Sequence, residues 1–117
     1  MARKEQTYYI NKEATEAEPR HFEAVNGKPI VAMDGIETFI YWNEQARTWV
    51  VTEVRTGSMI ATASTTQKKA IEQAREFIEF AGKENMIDLI EQMVAKYGEA
   101  PKASVDNSVL TPSVKGL

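Results

Sequence analysis

Few side chains in this sequence could carry chemistry, and their spacing narrows what that chemistry is. His21 is the only imidazole. Acid–base work by it would need a serine or carboxylate brought alongside by the fold. No G-x-S-x-G is present, and no serine lies in a glycine-rich turn after an apolar strand. There is no cysteine, which excludes a thiolate metal site, a Cys nucleophile, an iron–sulfur cluster and a disulfide scaffold. The glycines lie at least eight residues apart, too sparse for a phosphate-cradling loop or a dinucleotide fingerprint. Glu72/Glu76 and Glu84/Asp88 sit at helical spacing, but on the polar side, where they read as a solvated face. The expectation is a protein that is not an enzyme, with no metal and no cofactor.

The remaining candidates are binding residues. Lys68 and Lys69 fall in the first turn of an expected helix, where the macrodipole disfavours cations by a few tenths of a kcal/mol. That placement suits a phosphate-bearing ligand. Residues 38–69 carry Arg47, Arg55, Lys68 and Lys69 against two carboxylates, while residues 13–37 carry six carboxylates against Arg20 and Lys28. The chain is thus electrically lopsided within a formal charge of only −3, which opposes tight non-specific nucleic-acid binding. In Thr48–Arg55, alternation puts Trp49, Val51, Glu53 and Arg55 on one side and Val50, Thr52 and Val54 on the other. The second set is the cleaner apolar one and is expected to meet the helix. Trp49, Arg55 and Arg47, with Tyr41 on the preceding strand, then lie on the outer face with hot-spot composition, to be covered either by the N-terminal hairpin or the second helix, by a twin subunit, or by a partner.

These residues must be positioned by one small domain of 117 residues. The expected class is α+β: an antiparallel sheet of three to five strands, then one long or two consecutive helices on one face. Residues 1–19 read as a flexible N-terminal arm with Tyr8–Ile10 as a candidate edge strand, 20–98 as the domain, and 99–117 as a disordered tail. Asn26-Gly27 between apolar runs predicts a hairpin over 22–33. Strands are expected at 36–42, 48–55 and 58–63, with a hairpin loop at 43–47. The period then changes. Ser64-Thr65-Thr66 supplies N-cap hydroxyls. Ala70, Ile71, Ala74, Phe77, Ile78 and Ala81 make a helical stripe, with Gly82 after it. Met86, Ile90, Met93 and Tyr97 make a second stripe, stopped by Gly98.

Thr48 to Gly82 resembles the strand–strand–helix unit of the HicB antitoxin family. Thr66-Gln67-Lys68-Lys69-Ala70 stands where that family has Thr-x-x-x-Ala. The same run, with Ala74, is similar to the helix start of double-stranded-RNA-binding domains, though that fold has a helix before its strands. The layout is also similar to uncharacterised small proteins of phages and mobile elements. The resemblance implies a small regulator or inhibitor.

No apolar run approaches the roughly 18 residues that span a bilayer, so a membrane role is not expected and the chain reads as cytoplasmic. The leading expectation is a protein partner, with a second copy of the chain as a further one. The acidic N-terminal third would then face the basic sheet of a homodimer. The alternative is an RNA or another phosphate ligand held by Lys68, Lys69, Arg47 and Arg55.

Overall fold

The computed structural model describes residues 5–61, 63–102 and 104–105. Four strands come first: β1 (Gln6–Lys12), β2 (His21–Met33), β3 (Ile36–Asn43) and β4 (Thr48–Glu53). Helices α1 (Gln67–Ala81) and α2 (Lys83–Tyr97) follow, then a two-residue strand β5 (Ser104–Val105). The sheet is antiparallel, in the order β4-β3-β2-β1-β5. The α+β class stands, with two consecutive helices on one face.

Three local expectations are corrected. The candidate strand at Tyr8–Ile10 is present but longer, Gln6–Lys12, so residues 6–12 are not part of a flexible arm, and Tyr8 is buried. The 22–33 hairpin does not form: Asn26-Gly27 lies inside the continuous strand β2. In place of a strand at 58–63, the described residues there and at Ser64 form isolated bridges, Thr52↔Met59 and Trp49↔Ser64, and Ala61 between them has φ 61°. The segment still shields the outer margin of β4, through Ile60 N–H to Val51 O at 2.8 Å and Trp49 N–H to Ser64 O at 2.6 Å. The start of the expected tail also docks. Ala100 is buried and its N–H donates to Arg55 O at 2.8 Å, while β5 pairs with β1. Residues 106–117 lie outside the described residues.

The helices form where the period predicts. The Thr66 side chain caps α1 by accepting from Lys69 N–H at 3.2 Å, and Gly82 separates the helices at φ 94°. Ala70, Ala74 and Ile78 of α1 and Met86 and Ile90 of α2 join Ile36, Ile40 and Val51 in the core. Phe77 does not; it is 44% exposed.

The face of the sheet that meets the helices is the opposite of the expected one. Register places Trp49, Val51 and Glu53 beside Trp42, Ile40 and Thr38, and Trp49 packs against the helical core. Val50 and Thr52 share the other face with Phe39 and Tyr41. Glu53 tolerates burial because its carboxylate accepts from Arg55 N–H, Thr56 N–H and Thr56 Oγ1 at 2.6–2.8 Å.

Candidate functional site

The face turned away from the helices is curled. At one margin, Asn11 N–H of β1 donates to Gly57 O, in the turn after β4, at 2.8 Å. Gly57 has φ 72°, and an added Cβ would come within 2.9 Å of Asn11 N and Tyr9 O. Only glycine allows this approach. Inside the curl, the Tyr8 and Phe39 rings stack at 4.1 Å between centroids, 5° from parallel.

At its other end the sheet forks. The β2–β3 ladder begins at Gly27↔Tyr41. Before Gly27, β2 pairs with β1 alone; after Tyr41, β3 pairs with β4 alone. Two hairpins therefore diverge, with tips at 13–20 and 44–47. Tyr41 stands at the apex and lines recesses on both sides. One, of 360 Å³, includes Val25, Lys28, Trp42 and Trp49. The other, of 380 Å³, includes Ile10, Thr48, Val50 and Met59. Trp42 meets Trp49 edge-on at 5.3 Å, and the Arg47 guanidinium lies 6.0 Å from the Trp42 ring. Trp42 Nε1–H donates to Glu44 at 2.9 Å. The Thr48 Oγ1 is buried with no hydrogen-bond partner among the described residues.

Of the six residues singled out from the sequence, Tyr41, Trp49 and Arg47 converge on this fork. Arg55 does not. It lies in the turn past the far end of β4. There it bonds Glu91 at 2.8 Å and Glu99 at 2.9 Å, clamping α2 and the segment after it to the turn. These two carboxylates, Glu91 first, hold its guanidinium well above the usual arginine range. Arg47 is also paired, with Glu44 at 3.3 Å. Lys68 and Lys69 are exposed at the start of α1, with no ion pair recorded among the described residues. The four cations thus do not gather into one phosphate site. The basic sheet invoked for a homodimer has its two arginines neutralised within the chain.

His21 is exposed at the start of β2, with Nδ1 3.0 Å from Pro19 O and Nε2 3.9 Å from Glu18. Among the described residues no group of three metal-ligating side chains gathers, and no helix is long and apolar enough to cross a membrane. A larger cleft of 710 Å³ lies between the β2–β3 turn and the 99–102 segment, walled by Met33, Asp34, Glu37 and Lys102 among others.

Sequence reasoning missed three features. Trp42 reads from the sequence as strand and not as site, although a Trp beside a hairpin loop is the available signal. Thr48 gave no signal. Phe80, 91% exposed, lies off the apolar stripe of α1 among Glu76, Glu79 and Lys83; a phenylalanine on a charged flank was the sign of it.

Burial pushes the Tyr41 phenol above its ordinary 10.0, and the nearby Glu23 carboxylate pushes it further. The fold therefore favours the protonated ring. This contribution is whole below pH 10.0 and is lost as pH rises through the raised folded value. Wild-type stability should fall more steeply above pH 10.0 than that of Tyr41→Phe. Parallel urea-midpoint curves for the two would contradict a half-buried phenol at the apex.

No family model, curated protein or solved structure matches this chain.

Proposed function

We propose that this is a non-enzymatic binding protein that engages another protein at the forked end of its sheet. The observation that carries the reading is the aromatic group there. Trp42 is 36% exposed, set edge-on against Trp49 and topped by Arg47, beside an open recess. Exposed Trp with Arg next to a concave surface is the composition that dominates protein interfaces energetically. Two recesses of 360 and 380 Å³ meeting at Tyr41 are large enough to take side chains. The fork stands on a sheet backed by two helices, so its geometry is set before a partner arrives, which limits the ordering cost of binding. A regulatory or inhibitory role, as in a phage or mobile element, rests on the resemblance of Thr48–Gly82 alone.

The test is capture from host lysate, with and without nuclease, using wild type, Trp42→Ala and the pair Lys68→Ala/Lys69→Ala. A partner that survives nuclease and is lost from Trp42→Ala by at least about tenfold is expected. Capture that needs nucleic acid and disappears with the two lysines would replace this reading with the phosphate one.

A further inference from the structure

We infer that the occupant of the fork is an extended segment of the partner, an apolar residue flanked by lysine or arginine, which adds as a strand to the open margin of β2. The inference rests on the reading above and names the chemistry of that partner.

The margin comes from the register. Residues 21–26 pair with β1 on one side, while the ladder to β3 starts only at Gly27. Six residues give about 20 Å of strand with no ladder on its second side. Such a margin is a template for another backbone. Sheet proteins blunt these margins with lysine, proline or a covering segment. His21-Phe22-Glu23-Ala24-Val25-Asn26 has neither lysine nor proline. The contrast lies within the same sheet: residues 58–60 with Ser64 shield the outer margin of β4, and β5 with Gly57 shields that of β1.

The side-chain chemistry comes from the recess on the curled face. Ile10, Val50 and Met59 give it apolar walls, Tyr41 closes it at the apex, and Thr48 adds a buried hydroxyl without a partner. A buried hydroxyl is costly to leave unsatisfied. A polar atom on the incoming segment would satisfy it while an apolar side chain fills the space.

The charge comes from the hairpin tip. Glu13, Glu16 and Glu18 are exposed there. The adjacent Arg20 is already held by Asn11 Oδ1 at 2.6 Å and lies 4.1 Å over the Tyr97 ring. Lys12 is shared with Glu23 at 3.8 Å. The tip thus carries three carboxylates, one of them 3.9 Å from His21 Nε2, against the single guanidinium of Arg20, and a cationic segment along β2 complements that excess of negative charge.

The experiment selects a random 12-residue peptide library, displayed on phage, against the full chain. The synthetic consensus peptide then goes into amide hydrogen exchange. The expected consensus places Lys or Arg beside an apolar residue. Bound peptide should slow exchange of amides within 21–26 at least about tenfold, with little change in α1. Thr48→Val and the triple change Glu13→Gln/Glu16→Gln/Glu18→Gln should each weaken the peptide by about tenfold. The inference is overturned by no enriched sequence, an acidic consensus, protection centred on Phe77 and Phe80, or affinity unmoved by both variants. Wild type that dimerises in sedimentation while protecting 21–26 without peptide also overturns it, since the occupant is then a second copy. If Trp42-dependent lysate capture persists while 21–26 stay unprotected, this inference alone fails. If that capture is absent, the broader reading fails with it.

Discussion

Replacing Phe39 with alanine is expected to remove about 3–5 kcal/mol of folding stability. Phe39 has no exposed surface, although it points away from both helices. Its cover is the sheet itself. The curl brings Tyr8 of β1 over it, and the two rings stack across the intervening β2 at Gly27. The side chain thus ties β3 to β1 without any ladder between them. At roughly 0.05–0.15 kcal/mol per residue, a chain of this length holds about 6–18 kcal/mol in all. The loss would therefore be a large fraction of the total, read as a lower urea midpoint at unchanged slope. A double-mutant cycle with Tyr8→Ala should show coupling of about 0.5–1.5 kcal/mol, the usual worth of an aromatic pair. A loss below about 1 kcal/mol would mean that the curled face is not a second core.

That second core explains why the sequence was legible in its helices and misleading in its sheet. The stripe Ala70, Ala74, Ile78 has one apolar side, so its phase admits one answer, and the structure buries those three. Phe77 is in the stripe by period but stays half-exposed at its edge, and Phe80 lies off it; neither enters the core. Strand β4 has two apolar sides. Trp49 and Val51 alternate with Val50 and Thr52, and a strand covered on both faces carries no phase to read. The presence of Glu53 and Arg55 made the Trp49 side look solvated. Choosing the phase one residue off moved every side chain to the wrong face. The burial of Glu53 rests on three hydrogen bonds in the turn that follows, which no pattern of apolar residues reports. Half the candidate site was still within reach. Tyr41, Trp49 and Arg47 lie near one hairpin in sequence and stay near one another in space. Arg55 depends on long-range packing, which ties it to Glu91 and Glu99 instead, and the two lysines lie in the first turn of α1.

The Asn26-Gly27 error leads to the sharpest substitution. By local preference, Gly27→Val should help a strand, since valine is favoured there and glycine is not. In this fold it is expected to cost about 3 kcal/mol, at the upper end of overpacking changes. A Cβ at Gly27 would lie 2.8 Å from Ile40 O and 3.0 Å from Phe39 Cδ2. The first is backbone within the sheet, and the second belongs to the buried stack. Neither can step aside without opening the β2–β3 ladder at its first pair. Gly27 is needed for close approach, not for a turn, and Asn26 separates the two roles. Were the dipeptide a type I′ turn, both residues would require positive φ, and Asn26→Val would also be costly. In a strand Asn26 is exposed and free to take a β-branched side chain, so Asn26→Val should change stability by no more than about 0.5 kcal/mol. The informative quantity is the gap between the two valine variants in chemical denaturation. A wide gap supports the continuous strand and the fork that starts at Gly27↔Tyr41. Equal costs would restore the hairpin, pull residues 21–26 away from β1, and remove the margin on which an incoming strand would pair.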